Sequence, residues 1–170
     1  MSQHAVDFGL LILRVVVGLT VAAHGYNKFF GGGRIAGTAG WFDSIGMRPG
    51  RMHAVLAATT EFAAGILFAF GLLTSFAGAA FVSLMFVAAY TVHRSFFVTN
   101  NGWEYNLVLA TVGISVATIG PGRWSFDSLI EIDTWFDGWW GLGISLLGGL
   151  AAAAVLLGTF FRPTVDATAE

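Results

Sequence analysis

Cysteine is absent from the 170-residue sequence. That excludes disulfides, thiol–disulfide chemistry, iron–sulfur clusters and thiolate metal sites within this chain. Charge is scarce: Asp, Glu, Lys and Arg make up 11% of the residues, where a soluble domain carries about a quarter. Net charge is −2, so there is no basic field to attract nucleic acid. Proline occurs three times, and no Pro/Ser-rich linker or charge block splits the chain. What is there is apolar: 56% hydrophobic and 15% aromatic residues, with a mean hydropathy of +0.75. This is the composition of an integral membrane protein.

A bilayer core takes about 20 mostly apolar helical residues. Five stretches are expected to cross or nearly cross: about Phe8–Phe29, Ala54–Leu73, Phe76–Val92, Trp103–Ile119 and Leu142–Phe161. Arg14 followed by an apolar run to Val21-Ala22-Ala23 resembles a signal peptide, but we read the run as a retained membrane helix. Thr74 and Ser75 alone separate the second and third stretches, which predicts a tight antiparallel hairpin. Gly120-Pro121-Gly122 stops the fourth. Residues 31–52, rich in glycine with Trp41-Phe42, and residues 121–140, with Trp124, Trp135, Trp139 and Trp140 among acidic residues, suit a membrane interface.

Antiparallel neighbours then place His24, Lys28, His53, His93, Arg94, Glu104 and residues 31–52 on one membrane side. Lys28, Arg34, Arg48, Arg51, Arg94 and Arg162 crowd that side, and the positive-inside rule puts it in the cytoplasm with the N-terminus outside.

Two charges lie deeper. A charge near the bilayer centre costs roughly 2.5–3.5 kcal/mol on insertion scales, so Arg14 and Glu61 are expected to face the bundle interior. Arg14 reads as a structural intramembrane charge. It pairs with Glu61 only if both reach toward the middle from opposite sides. Glu61 stands in Ala57-x-x-x-Glu61-x-x-x-Gly65, where small residues admit a neighbouring helix. Buried there without a cation, it would hold a proton at neutral pH; a structural interhelix hydrogen bond is the alternative. Arg14, Gly18, Val21, Gly25 and Lys28 form one stripe, with Gly18 and Gly25 as packing positions.

Other donors are weaker signals. His53 and His93 on facing helices are donor types for a haem, but they stand at helix ends, which argues against it. A metal site from His24, Glu61, His93 and Glu104 lacks any tight spacing motif, so no metal is expected. Asn101 reads as the N-cap of the fourth helix, with Glu104 in its first turn, where negative charge suits the dipole. The alternative is a polar site walled by Trp41, Trp103 and Tyr105, with His24, Lys28 and Tyr105 as donors. That would suit a quinone headgroup, which is flat, apolar and needs donors at two carbonyls. No nucleotide loop or nucleophile arrangement is present, and no cofactor is bound by an evident motif.

Read together, Leu13-Arg14, His24-Gly25-x-x-Lys28, Gly37-Thr38-Ala39-Gly40-Trp41-Phe42, Glu61-Phe62-x-x-Gly65, Thr91-Val92-His93, Asn101-Gly102-Trp103-Glu104-Tyr105-Asn106 and Gly120-Pro121-Gly122-Arg123-Trp124-Ser125-x-Asp127 resemble the DoxX family in order and spacing. The resemblance covers about residues 8–130. It implies an all-α, multi-pass, four-helix bundle in the cell membrane of a prokaryote. It also implies a setting in membrane oxidoreductase complexes: the family name comes from the membrane subunit of a thiosulfate:quinone oxidoreductase, and mycobacterial members are associated with an oxidoreductase complex linked to superoxide dismutase and a thiosulfate sulfurtransferase. The implied role is an accessory, non-electron-carrying subunit in contact with quinone. A catalytic quinone-reactive protein and a small-molecule or lipid transporter are the alternatives. His24, Lys28, Glu61, His93, Trp103, Glu104 and Tyr105 carry over as a candidate site without settled roles.

Residues 131–170 depart from that pattern with a Trp-rich interfacial segment and a fifth helix. Its stripe Ser145-x-x-x-Gly149-x-x-x-Ala153 suits close helix contact. The expected partner is another membrane subunit or a second copy; packing on its own bundle is the alternative.

Overall fold

Ser2 opens the first helix. Its hydroxyl accepts from the Ala5 N–H at 3.3 Å, so α1 runs over Gln3–Phe30, five residues earlier than the apolar run alone indicated. The computed structural model describes residues 2–93 and 95–163; Arg94 lies outside the described residues. A short helix, α2 (Arg34–Ser44), follows, then α3 (Gly50–Phe70) and α4 (Thr74–Thr91). A 3-10 turn at Val98–Asn100 leads to α5 (Glu104–Ile119). Two single-turn helices, α6 (Phe126–Leu129) and α7 (Asp133–Phe136), precede α8 (Gly138–Phe160), which carries a π-helical segment at Gly143–Gly148. The chain is an all-α membrane bundle. Among the described residues, four helices (α1, α3, α4 and α8) have the length and apolarity to cross a membrane. The 16-residue α5 rises about 24 Å, short of a full span by itself.

Glycine sets the α1–α3 seam. A Cβ on Gly18 would stand 2.5 Å from the Gly65 carbonyl oxygen, and one on Gly25 would stand 2.5 Å from the Phe62 nitrogen. Only bare backbone fits, and the two helices approach closely along the stripe read from sequence. The main core forms where Leu10, Val21, Phe68, Phe81, Leu109 and Val116 meet. Phe68 and Phe81 lie 4.7 Å apart between ring centres.

The hairpin between α3 and α4 turns earlier than expected. Gly71 adopts φ +65° and its N–H caps α3, while Leu72 N–H donates to the Leu67 carbonyl at 2.9 Å. Thr74 and Ser75 are therefore the first turn of α4, not the connection. The cap for that turn comes from far along the chain: the Asp127 carboxylate accepts from the Leu73 and Thr74 N–H groups at 2.7 and 2.9 Å. Asn101 is also not the N-cap of α5. It sits at φ +56° closing the 3-10 turn, and Trp103 occupies the cap position.

Arg14 is fully buried, but it does not meet Glu61. Its guanidinium donates to the Trp124 carbonyl at 2.7 Å and to the Ala69 carbonyl at 3.3 Å, within the field of Asp127. The residues after Gly120 thus fold back over the bundle end and use Arg14 as their anchor. Buried Asp7 joins them by accepting from the Arg123 N–H at 3.2 Å.

The fifth helix packs on its own bundle. Ser145 and Ala153 are fully buried, and a Cβ on Gly149 would be 2.6 Å from the Ala79 carbonyl oxygen and 2.7 Å from the Val82 Cβ. The small-residue stripe is therefore taken up by α4. Its opposite face exposes Leu147 and Val155. Beyond the helix, Arg162 N–H donates to the Gly46 carbonyl at 2.8 Å, which places Arg162 on the side of the α2–α3 loop, as five alternating helices require. Gly149→Leu is expected to cost about 1–3 kcal/mol by overpacking, read as a lowered unfolding midpoint in detergent. An unchanged midpoint would mean α8 is not held by this seam.

Candidate functional site

The register of the α1–α3 seam decides what Lys28 meets. Gly25 packs on Ala58 and Phe62, so Lys28, one turn further, lies beside Glu61. Nζ donates to the two carboxylate oxygens at 2.7 and 2.5 Å. Both side chains are mostly buried, at 22% and 12% exposure. Glu61 is thus buried beside a cation, not without one as considered from sequence.

The pair stands in the wall of a cavity of about 470 Å³ between α2, α3, α4 and α8, within the size range of small-molecule sites. Trp41 and Phe42 contribute from α2, His53 and Glu61 from α3, Leu84 and Val87 from α4, and Gly149 and Leu156 from α8. The lining is mostly apolar, and Thr60, Ser83 and Thr91 add hydroxyls. The fifth helix therefore closes a wall that a four-helix bundle would leave open.

The other sequence candidates divide. His24 and Tyr105 meet each other, with Nε2 and the phenol oxygen 3.4 Å apart. They lie outside the cavity lining. His93 Nδ1 is 2.8 Å from the Asn101 carbonyl. Glu104 accepts from the Val98 N–H at 2.8 Å, and Trp103 packs edge-on against Phe96 at 4.9 Å. These three tie the 93–104 connection together. Trp103 and Tyr105 do not line this cavity; Trp41 and Phe42 do. Among the described residues, no group of three or more His, Asp or Glu side chains is placed to hold a metal ion.

Sequence reading weighed His53 only as a haem donor type and left it out of the candidate site. His53 is 2% exposed, flanked by the Phe42 ring at 6.1 Å and the Phe160 ring at 5.1 Å. Its position at a helix start gives no sign of burial; the return of α2 and the end of α8 over it bury the ring.

The sequence pattern of the DoxX family matches residues 9–94. The chain belongs to the DoxX family. A curated relative in Bacillus subtilis (strain 168), named "Putative oxidoreductase CatD", is 35% identical over 111 residues, which is 65% of this chain and 79% of the relative. No solved structure matches the chain. The family pattern spans α1 to α4, and so includes Lys28, His53 and Glu61; the α8 wall of the cavity lies beyond it.

Proposed function

We propose that this DoxX protein is an accessory subunit of a membrane oxidoreductase complex and that it binds a quinone in the cavity between α2, α3, α4 and α8. The observation that carries the reading is an apolar cavity with an ion pair, Lys28–Glu61, in its wall. A quinone needs both features: apolar walls for its ring and tail, and a donor for a ring oxygen. Lys28 Nζ supplies that donor, and Glu61 balances its charge. Reduction of a quinone to a quinol takes two electrons and two protons. Both electrons would come from a redox partner subunit and both protons from the aqueous phase, one of them relayed through the Lys28–Glu61 pair, which positions the ring. The relative's name, which includes "oxidoreductase", supports the setting. The protein sits in the cell membrane of a prokaryote, with its N-terminus outside and the cavity toward the cytoplasmic side by the Lys/Arg distribution.

Purification from native membranes in mild detergent tests this, with mass spectrometry of extracted lipids and proteins and visible spectra. A bound quinone together with a dehydrogenase or cytochrome subunit is the expected result. A bound quinone on a protein without redox partners would favour the catalytic alternative. Absence of quinone overturns the reading and leaves small-molecule or lipid transport.

A further inference from the structure

We infer that His53 is a ligand-binding residue, and that the polar head of the cavity's occupant lies between His53 Nε2 and the Lys28–Glu61 pair. The inference rests on the cavity reading above and adds a residue and an orientation to it. Lys28 and Glu61 already satisfy one another at 2.5 and 2.7 Å. His53 does not share that closure: it lines the same cavity, it is almost fully buried, and its Nε2 has no hydrogen-bond partner among the described residues. A buried polar atom is normally paired; Nε2 is closed off as the ring stands, and a turn of the imidazole toward the cavity that the residue lines brings it to an incoming oxygen. An imidazole nitrogen can donate or accept according to tautomer, so the group that fits it is a carbonyl or hydroxyl oxygen.

Geometry narrows the class. His53 and Glu61 stand eight residues apart on α3, about 12 Å along the axis. A flat ring with oxygens on opposite edges spans that gap together with the Lys28 and His53 side chains. A fatty acyl chain, with one polar end, does not. Phe42 and Phe160 flank the imidazole, so the oxygen meets it in an aromatic collar, and the apolar tail runs along Ala80, Leu84 and Leu156.

The test uses the full-length protein in detergent with decylubiquinone as the probe. Affinity is read by quenching of tryptophan fluorescence, since Trp41 lines the cavity. Loss of one buried neutral hydrogen bond predicts about three- to tenfold weaker binding for His53→Leu, with most of it recovered in His53→Gln. In wild-type protein labelled with ¹⁵N-histidine, the His53 Nε2 resonance, assigned by its loss in His53→Gln, is expected to move on titration. If wild type binds the quinone but the resonance stays still, the inference is overturned and the cavity reading stands; equal affinity in His53→Leu says the same. If wild type binds no quinone, both fall. Should His53→Leu fail to fold, the wild-type resonance decides.

Discussion

Replacing Arg14 by Met is expected to destabilise the protein by about 3–5 kcal/mol, the cost of removing one partner from a buried charge network. Arg14 is fully buried and joins segments far apart in sequence: its own helix, the end of α3 through Ala69, and the returning chain at Trp124. Asp127 is its charge complement, and Asp127 also caps α4 through Leu73 and Thr74 and donates its own N–H to the Gly71 carbonyl at 2.8 Å. Gly71 has no room for a side chain because a Cβ there would strike the guanidinium. Methionine fills the space but leaves two carbonyls without donors and Asp127 without a cation. The expected result is a lowered unfolding midpoint in detergent, with loss of the Trp124 environment in the same transition. Arg14→Lys should recover only part, since the compact ammonium lacks the planar fork by which two separate guanidinium nitrogens reach the Ala69 and Trp124 carbonyls. An Arg14→Met midpoint equal to wild type would show that the 120–129 return is held by something else.

Much of this arrangement is legible in the sequence, and the exceptions share a cause. The stripe of Arg14, Gly18, Val21 and Gly25 on α1 follows from helical periodicity, and all four are buried in the structure. Glu61 stands out because a charge at membrane depth needs a partner. The identity of that partner does not follow from depth alone. Counting residues from each helix start made Arg14 a candidate, whereas the register set by Gly25 against Phe62 and Gly18 against Gly65 brings Lys28 alongside. His53, Asp7 and the Asp127 cap depend on chain segments that return from far away. A local pattern carries no sign of them. Asp7 looks like an exposed acidic residue near a helix start, and is buried only because the Gly122–Arg123 turn closes over it. The role of Asp127 was visible only as one letter in the longer string after Gly120. Helix 5 shows the reverse: its small-residue stripe was legible, but a stripe does not say which helix it meets, and the structure gives α4.

Breaking the Lys28–Glu61 pair is expected to have an equally large effect, and the way it is broken separates stability from function. Lys28→Met alone strands a carboxylate in an apolar wall, and Glu61→Leu alone strands an ammonium; each should cost about 3–5 kcal/mol. The double variant Lys28→Met/Glu61→Leu removes both charges and fills the space with apolar atoms of similar volume. Such replacements of buried ion pairs are often neutral or stabilising, so its unfolding midpoint should return close to that of wild type. If the pair is only a structural clasp, everything else returns with it. If it borders the quinone head, the double variant folds but binds decylubiquinone weakly, because no donor faces the ring oxygen near α1. The expected outcome is a restored midpoint with binding weakened about tenfold or more, the scale of a charge-assisted hydrogen bond. A double variant that is stable and binds the quinone as tightly as wild type would take Lys28 and Glu61 out of the site and leave them as packing, in which case His53 alone would define the polar end of the cavity.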